Sequence, residues 1–328
     1  MRLFVTGAAG FIGSHYVRTL LSGGYPGFED ASVTVFDKLT YAGNEANLAP
    51  VAGHARYRFV QGDICRAEQL AAALPGHDLV VNFAAETHVD RSIRATATDF
   101  VATNVLGAQQ VFEACLRHGV QRVVQVSTDE VYGSVDEGSW REDHALLPNS
   151  PYAATKASAD LIARAYAITH GLAVSITRAS NTYGPNQFPE KIIPLFVTNL
   201  LDGEHVPLYD DGSHVRDWLH VSDHCRAVAL VAERGGCGEI YNVAGGRELT
   251  NRELTEQLLA ATGRDGSHVD LVADPRGGGH DRRYSLDCAK IRELGFAPHV
   301  PFDDGLRATV EWYRRNRDWW VPLKRQEL

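Results

Sequence analysis

The sequence lacks the features that would place it in a membrane, outside the cell or on a nucleic acid. No apolar run reaches the roughly 18 residues of a membrane-spanning helix, and the first residues contain no hydrophobic region of a secretory signal. Basic residues are fewer than acidic ones, 32 against 41, so the chain lacks the positive field of a nucleic-acid-binding protein. These absences predict a cytoplasmic protein that binds neither a membrane nor a nucleic acid.

Cysteine is also scarce. The five cysteines are scattered, odd in number and without a C-x-x-C pair, at positions 65, 115, 225, 237 and 288. A disulfide framework needs paired cysteines, and a zinc site needs closely spaced ligands. The pattern therefore predicts reduced thiols and no metal.

What the sequence does contain is the alternating pattern of an α/β protein. With 328 residues, the folded chain can bury about three-quarters of its surface. Short apolar runs alternate with helical stretches, which predicts a Rossmann-type, doubly wound parallel sheet. The predicted strands are residues 2–6, 33–36, 57–60, 79–83, 122–126 and 173–177, and the predicted helices are 11–21, 96–116, 151–169 and, last in the chain, 306–317.

The texture of the sequence changes after about residue 180. Proline, glycine and polar residues become frequent, and short strands and helices mix from there on. This change predicts a second, smaller mixed α/β lobe laid over the sheet. We expect residues 1–180 and about 213–245 to form the Rossmann domain, and about 181–212 and 246–328 to form the smaller lobe.

A glycine motif lies between the first predicted strand and the first predicted helix. Gly7, Gly10 and Gly13 follow a G-x-x-G-x-x-G spacing, with Phe11 and Ile12 inside it. In a dinucleotide-binding turn the first glycine permits the tight turn, the second lets backbone N–H groups approach a pyrophosphate, and the third lets helix and strand pack closely. The placement therefore favours a dinucleotide site over a plain glycine-rich turn.

Two aspartates end the next two predicted strands. A carboxylate at Asp37 can accept hydrogen bonds from an adenosine ribose and would repel a 2′-phosphate, which favours NAD over NADP. The alternative is an aspartate that caps the following loop. Asp63 is expected either to reach the adenine or to form a turn.

Four residues are candidates for acid–base chemistry. Tyr152 and Lys156 are four apart and share one helix face, where the ammonium and a cationic nicotinamide ring would favour the phenolate. Asp129 and Glu130 follow the fifth predicted strand, at the edge where open α/β sheets bind ligands. They can serve as separate acid and base for one substrate; the alternative is a loop that one of them caps.

Together these elements resemble the extended short-chain dehydrogenase/reductase family, and within it the nucleotide-sugar 4,6-dehydratases that act on dTDP-glucose. The acid pair is the discriminating feature, since related epimerases and dehydrogenases keep the glycines and the Tyr–Lys pair without it. The segments that carry the resemblance are residues 38–44, 84–92, 127–133, 181–185, 216–218 and 251–254.

The resemblance implies a homodimeric hydro-lyase that holds NAD tightly and converts dTDP-glucose to dTDP-4-keto-6-deoxyglucose without net redox change. Tyr152, assisted by Lys156 and Thr128, would take the C4 hydroxyl proton. Glu130 would then remove the C5 proton, and Asp129 would protonate the leaving C6 hydroxyl.

It also implies two sets of binding residues. The cofactor set is Gly7, Gly10, Phe11, Ile12, Gly13, Asp37, Lys38, Thr40, Asp63, Ile64, Ala84, Ala85, Tyr152 and Lys156. The nucleotide-sugar set is Thr87, Asn181, Lys191, Pro207, Tyr209, Arg216, Asn251, Arg276, His280 and Tyr284. Arg216 would clamp the diphosphate, and Tyr209 would stack on the thymine or serve only as a core aromatic. The glycines at 277–279 form either a mobile flap or a longer loop.

Two other functions remain open on the sequence. One is a related dehydratase or epimerase that acts on a UDP sugar. The other is a non-catalytic Rossmann protein that senses dinucleotides, against which the intact Tyr152, Lys156, Asp129 and Glu130 argue.

Overall fold

The computed structural model describes residues 1–94 and 96–324, so the last four residues of the predicted smaller lobe lie outside the described part. Its strands are β1 (Arg2–Thr6), β2 (Ser32–Asp37), β3 (Tyr57–Gln61), β4 (Leu79–Asn82), β5 (Arg122–Thr128), β6 (Val174–Ala179), β7 (Asn181–Tyr183), β8 (Val206–Tyr209), β9 (Val215–His220), β10 (Ile240–Val243), β11 (Glu248–Thr250) and β12 (Val269–Val272).

The helices lie between and after these strands. They are α1 (Phe11–Leu21), α2 (Ala67–Ala73), α3 (Val89–Arg94), α4 (Thr98–Phe100), α5 (Ala108–Arg117), α6 (Pro151–His170), α7 (Ile192–Asp202), α8 (Val221–Arg234), α9 (Asn251–Thr262), α10 (Ala289–Glu293), α11 (Phe302–Arg315) and α12 (Arg317–Lys324). Shorter 3-10 segments are Glu45–Val51, Asp129–Tyr132, Gly266–His268 and Gly277–Gly279. Within the described residues, no helix is both long and apolar enough to cross a bilayer.

Seven strands form one parallel sheet in the order β10-β6-β5-β4-β1-β2-β3. Alternate residues of β1 face opposite sides, as a pleated strand requires. Leu3 and Val5 pack in the core beneath α1 and α8, whereas Phe4 packs in the core beneath α2, α5 and α6. Helices on both faces confirm the predicted doubly wound sheet. The strand order reverses between β1 and β4, which is the place where such sheets bind ligands.

A smaller lobe lies over the carboxyl edge of this sheet. It contains a three-stranded sheet, β11-β9-β7, and a parallel pair, β12-β8. Its core lies among α7, α9, α11 and α12 and includes Phe196, Trp218, Leu258 and Trp320. The lobe therefore has a hydrophobic core separate from those of the large sheet.

Helix α6 is built by local signals at both ends. The Ser150 side chain accepts a hydrogen bond from the Ala153 N–H, and Pro151 occupies the first turn, where no backbone donor is needed. Gly171 ends the helix in the left-handed conformation at φ 67°. These signals explain why the predicted 151–169 differs from α6 by only one residue.

Long-range packing changes other boundaries. The predicted helix 96–116 runs from Thr98 to Arg117 but contains a π-helical segment, Val101–Gly107. The predicted last helix, 306–317, is wrong at both ends, because α11 begins at Phe302 and stops at Arg315, and α12 follows it. The predicted strand 122–126 continues to Thr128, and helix α2 had no prediction.

A buried ion pair ties α6 to β6, with the Asp160 carboxylate 2.8 Å from Nε of Arg178. We expect Asp160→Ala to lower the free energy of unfolding by about 3–5 kcal/mol, since a buried guanidinium would lose its counter-ion. Equilibrium denaturant unfolding measures the change. The matched control is Asp304→Ala, which breaks an exposed pair with Arg307 and should cost at most about 1 kcal/mol. Equal losses in the two variants would contradict the role of the buried pair.

Candidate active site

A single cavity of about 900 Å³ lies between the two lobes, at the carboxyl ends of β1 to β6. Every residue that the sequence predicted for catalysis, for the cofactor or for the nucleotide sugar lines this cavity. Residues from 7 to 284 therefore meet in one place, although only short runs of them are neighbours in the sequence.

The glycine loop leaves room for an anion at the start of α1. A Cβ at Gly7, whose φ is 66°, would lie 2.5 Å from the Ala84 nitrogen, and one at Gly13 would lie 2.7 Å from Gly7 oxygen. A Cβ at Gly10 would meet only Gly7 oxygen, at 3.3 Å. No side chain of residues 1–94 or 96–324 caps this helix terminus. Free N–H groups and the helix dipole there suit a pyrophosphate, so the residues present fit a dinucleotide.

Asp37 both caps the loop and faces the cavity. Its carboxylate accepts hydrogen bonds from the N–H groups of Ala9 and Leu39, each at 2.8 Å. An ionised carboxylate can accept about four hydrogen bonds, so two remain for a ribose. The two interpretations of this aspartate are therefore compatible.

Lys38 beside it is paired with Asp63, with 2.9 Å between Nζ and Oδ2. The Lys38 ammonium could otherwise neutralise a 2′-phosphate at this place, but the Asp63 carboxylate already pairs with it. Both aspartates and the paired lysine favour an unphosphorylated ribose.

Asp129 and Glu130 stand at the end of β5. The Thr128 hydroxyl accepts a hydrogen bond from the Glu130 N–H at 3.3 Å and donates to Oδ1 of Asp129 at 3.2 Å. Asp129 is only 2% exposed, and its Oδ2 has no hydrogen-bond partner among the described residues. One carboxyl oxygen is thus held by Thr128 while the other is left for a ligand.

The two carboxyls have different electrostatic surroundings. Burial raises the pKa of Asp129 far above its ordinary value, and the charge of Glu130 raises it further. Burial also raises the pKa of Glu130, but three cations oppose the rise: Arg216, Lys191 and Arg276. Burial is the larger of the two causes of the raised Asp129 pKa. Asp129 is the better proton donor and Glu130 the better acceptor.

Tyr152 and Lys156 lie on α6 opposite this acid pair. Lys156 donates a 2.6 Å hydrogen bond to the Val126 carbonyl, and burial lowers its pKa to about 8. Burial and the charges of Glu130 and Asp129 raise the pKa of the Tyr152 phenol. This direction is opposite to the predicted effect of Lys156. Lowering that pKa therefore requires further positive charge beside the phenol, which a cationic nicotinamide would provide.

Arg216 enters the cavity from β9. Its guanidinium donates to the carbonyls of Val215 at 2.7 Å and Asp281 at 2.8 Å, and it lies 4.3 Å from the ring centre of Tyr284. These contacts hold the guanidinium plane still. Since arginine has five N–H donors, others remain for a diphosphate.

The loop around the glycines at 277–279 lies against the large domain. Arg276 forms an ion pair with Asp90, with 3.3 Å between Nη2 and Oδ2, and lies over the Tyr209 ring at 5.6 Å. His280 contacts Asp274 and stacks on His214 with ring centres 3.7 Å apart. Ligand atoms of His214, Asp274 and His280 lie within 4.8 Å of one another, but an imidazole binds a metal in its own ring plane, and the two stacked rings are not oriented toward one ion.

Several residues that line or border the cavity had no sequence prediction. In the π-helical segment, Asn104 donates hydrogen bonds to the Glu86 carbonyl and to the Thr155 hydroxyl, linking the loop after β4 to α6. Among the unpredicted residues that line the cavity itself are Tyr41, Arg91 and Glu190. Tyr41 and Arg91 lie within the family-like segments 38–44 and 84–92, and Glu190 precedes the predicted Lys191; these positions were the available signals.

The comparisons with known proteins agree with this geometry. The family described as GDP-mannose 4,6-dehydratase matches residues 4–309. A dTDP-glucose 4,6-dehydratase of Streptomyces niveus is 57% identical over 325 residues, which cover 99% of this chain and 96% of that protein.

Solved structures show the same similarity. The dTDP-glucose 4,6-dehydratase of Streptomyces venezuelae, solved with NAD, has a TM-score of 0.96 at 61% identity and covers 98% of this chain and 100% of its own. A UDP-glucose 4-epimerase of Thermotoga maritima has a TM-score of 0.87 at 32% identity, with coverage of 97% and 100%.

We expect Asp37→Ala to weaken NAD binding by about 1.5–3 kcal/mol for each hydrogen bond to the ribose that is lost. Isothermal titration of NAD into protein stripped of nucleotide measures the change. Asp30→Ala, which removes an exposed carboxyl before β2, is the control and should bind NAD normally. A preference of the unaltered protein for NADP would contradict the role given to Asp37.

Proposed function

The chain belongs to the extended short-chain dehydrogenase/reductase family and, within it, to the dTDP-glucose 4,6-dehydratases, and from this premise we propose the role of each residue in that reaction. The enzyme is an NAD-dependent hydro-lyase that converts dTDP-glucose to dTDP-4-keto-6-deoxyglucose. The observation that supports the residue assignment is the pair of buried carboxyls, Asp129 and Glu130: burial raises the pKa of both, that of Asp129 well above its ordinary value, while three cations oppose the rise at Glu130.

The cofactor site consists of the glycine loop, Asp37 and the face of α6 that carries Tyr152 and Lys156. Bound there, NAD would supply hydride transfer, first from C4 of the sugar to the cofactor and later from the cofactor to C6. The phenolate form of Tyr152, which neighbouring positive charge favours, takes the proton of the C4 hydroxyl, and the Thr128 hydroxyl orients that oxygen. Lys156, fixed on the Val126 carbonyl, keeps the phenol directed toward the cavity.

Elimination of water follows from the acid pair. A ketone at C4 acidifies the proton on C5, and Glu130 removes it as a carboxylate that Arg216, Lys191 and Arg276 help to keep ionised. Asp129, which retains its proton because it is buried beside Glu130, donates it to the C6 hydroxyl as that group leaves as water. A proton then returns to C5 when C6 is reduced.

The substrate diphosphate needs fixed positive charge, which the smaller lobe supplies. Arg216 is held by two backbone carbonyls, and Arg276 is placed near Tyr209, on which the thymine would stack. Thr87, Asn181, Lys191 and Asn251 complete the proposed site, together with Pro207, His280 and Tyr284. Asn181 has a buried Oδ1 without a hydrogen-bond partner in the described part of the chain, which suits a sugar hydroxyl.

Replacing each member of the acid pair should separate oxidation from dehydration. In Asp129→Asn and Glu130→Gln, product formation should fall by about 10²-fold or more, because one proton transfer is lost while Tyr152 remains. Quenching the reaction with borodeuteride labels C4 wherever a ketone has formed. We expect C4-labelled sugar that still carries its C6 hydroxyl.

Tyr152→Phe is the matched control, since it should give neither C4 label nor 6-deoxy product. UDP-glucose in place of dTDP-glucose tests the nucleotide. If both acid-pair variants form 6-deoxy product at the normal rate, the pair only caps a loop. Label without dehydration in the unaltered enzyme would indicate an epimerase.

The broader organisation is also part of the proposal. We propose the Rossmann domain at residues 1–180 and about 213–245, and a nucleotide-sugar lobe in the remainder, with β10 joining the large sheet and β7 and β11 joining the small one. β9 pairs with the small sheet and so belongs structurally to that lobe, at the border of the division. We propose a cytoplasmic location, consistent with five free cysteines.

We further propose a homodimer formed through α6 and the π-helical segment before α5. Four large apolar side chains there are about half exposed or more: Val101, Leu106, Leu161 and Ile168. We expect sedimentation velocity to give a dimer, and Leu161→Glu with Ile168→Glu to shift it to monomer, since charge would be buried at the contact. Leu271→Glu, on exposed β12, is the control and should leave the dimer intact. A monomeric unaltered protein would contradict this interface.

A further inference from the structure

The hydroxyl of Tyr41 joins the two lobes across the cavity. Tyr41 belongs to the loop after β2 that also supplies Lys38 and Thr40 to the cofactor side. Its O–H donates a 2.9 Å hydrogen bond to Oε1 of Glu190, in the loop before α7 of the smaller lobe. The Thr87 carbonyl lies 3.5 Å from the same hydroxyl.

Neighbouring groups hold the Tyr41 ring in this position. The Arg91 guanidinium lies 3.7 Å from the ring centre, a short cation–π distance, and Phe188 packs edge-on at 5.3 Å. Burial and the charge of Glu190 raise the pKa of the phenol, so it remains a donor at neutral pH. The ring of Tyr41 is therefore held in place, and its hydroxyl remains a donor to Glu190.

The strand order shows what this contact passes over. Tyr41 leaves the sheet after β2, and its hydroxyl reaches Thr87, which follows β4. In the sheet, β1 lies between β4 and β2. The contact between Tyr41 and Thr87 therefore crosses the carboxyl end of β1. The glycine loop, with its free helix N-terminus, lies at that end. A dinucleotide that extends from Asp37 to Tyr152 has its pyrophosphate there.

The charges nearby make such a crossing compatible with an anion beneath it. Lys191 Nζ lies 3.6 Å from Oε1 of Glu190, and Arg91 lies over Tyr41. These two cations offset the Glu190 carboxylate, so that the carboxylate does not repel a neighbouring diphosphate. Oε2 of Glu190 is buried and has no hydrogen-bond partner among the described residues.

We propose that the Tyr41–Glu190 hydrogen bond is a strap over the cofactor diphosphate that retains NAD in the enzyme between turnovers. The inference rests on the proposed function, because a reaction that restores its cofactor in every cycle has no need to release it. Tyr41 and Glu190 are positioning residues in this scheme and take no part in the proton transfers.

The test measures release of NAD and requires no turnover. Protein loaded with fluorescent etheno-NAD is mixed with excess NAD, and the loss of bound fluorescence gives the dissociation rate. In Tyr41→Phe the ring and its contacts with Arg91 and Phe188 remain, but the strap is lost. We expect release to be about 10-fold faster or more, the effect of losing one hydrogen bond to a charged group. Glu190→Ala should behave alike.

Three further variants make the test specific. Glu190→Gln keeps an oxygen acceptor for Tyr41 and should restore much of the retention. The double variant Tyr41→Phe with Glu190→Ala should release etheno-NAD no faster than either single variant, since both remove the same bond. Tyr57→Phe, which removes a hydroxyl on β3 outside the cavity, should change nothing.

Unchanged release in Tyr41→Phe would overturn the strap, and so would multiplicative effects in the double variant. Failure of the proposed function has a different signature: the unaltered protein would then hold etheno-NAD but leave dTDP-glucose unconverted, or would hold no NAD at all.

Discussion

The hydrogen bond from Lys156 to the Val126 carbonyl is the contact on which the proposed chemistry of this protein depends. It is 2.6 Å long and joins α6, which carries Tyr152, to β5, whose end carries Asp129 and Glu130. Because Val126 is only three residues before Asp129, this bond sets the phenol and the acid pair relative to each other. The buried pair of Asp160 with Arg178 fixes α6 a second time, on β6. The active site is thus aligned by the packing of one helix across two central strands.

Burial has opposite consequences for the groups so aligned. It raises the pKa values of Asp129, Glu130 and Tyr152 and lowers that of Lys156, since in each case it disfavours the charged form. The cations that oppose the rise at Glu130 are Arg216, Lys191 and Arg276, which come from the smaller lobe or its border; Arg216 acts on Asp129 as well. The acid and base roles proposed for Asp129 and Glu130 therefore depend on the contact between lobes, in addition to the sheet that carries the pair.

The parts of this architecture that the sequence predicts are those determined over short distances. β1 and α1 match their predicted bounds because apolar spacing and the intervening glycines define both. The catalytic candidates were also local patterns, namely two adjacent carboxyls and a Tyr–Lys spacing of four. Other contacts join residues that are far apart in the sequence. Asn104 donates hydrogen bonds to Glu86 and Thr155, and Arg216 donates one to the Asp281 carbonyl. The spacing of apolar residues in the sequence does not reveal such contacts. The prediction of a helix over 96–116 therefore did not include the π-helical segment within it.

The polar atoms left without partners show how the cavity is prepared for its ligands. Among the described residues, most buried side-chain polar atoms that lack a hydrogen bond belong to residues that line this cavity, including Ser127, Asp129, Asn181, Glu190 and His224. Each such group costs about 1–3 kcal/mol when it is buried without a partner. A core would not accumulate this cost, but a binding site can, because ligand hydroxyls and amides satisfy the same atoms. The protein without ligand is therefore less stable than its packing alone would allow. A ligand that forms hydrogen bonds with these polar groups removes this cost, which contributes to the free energy of binding.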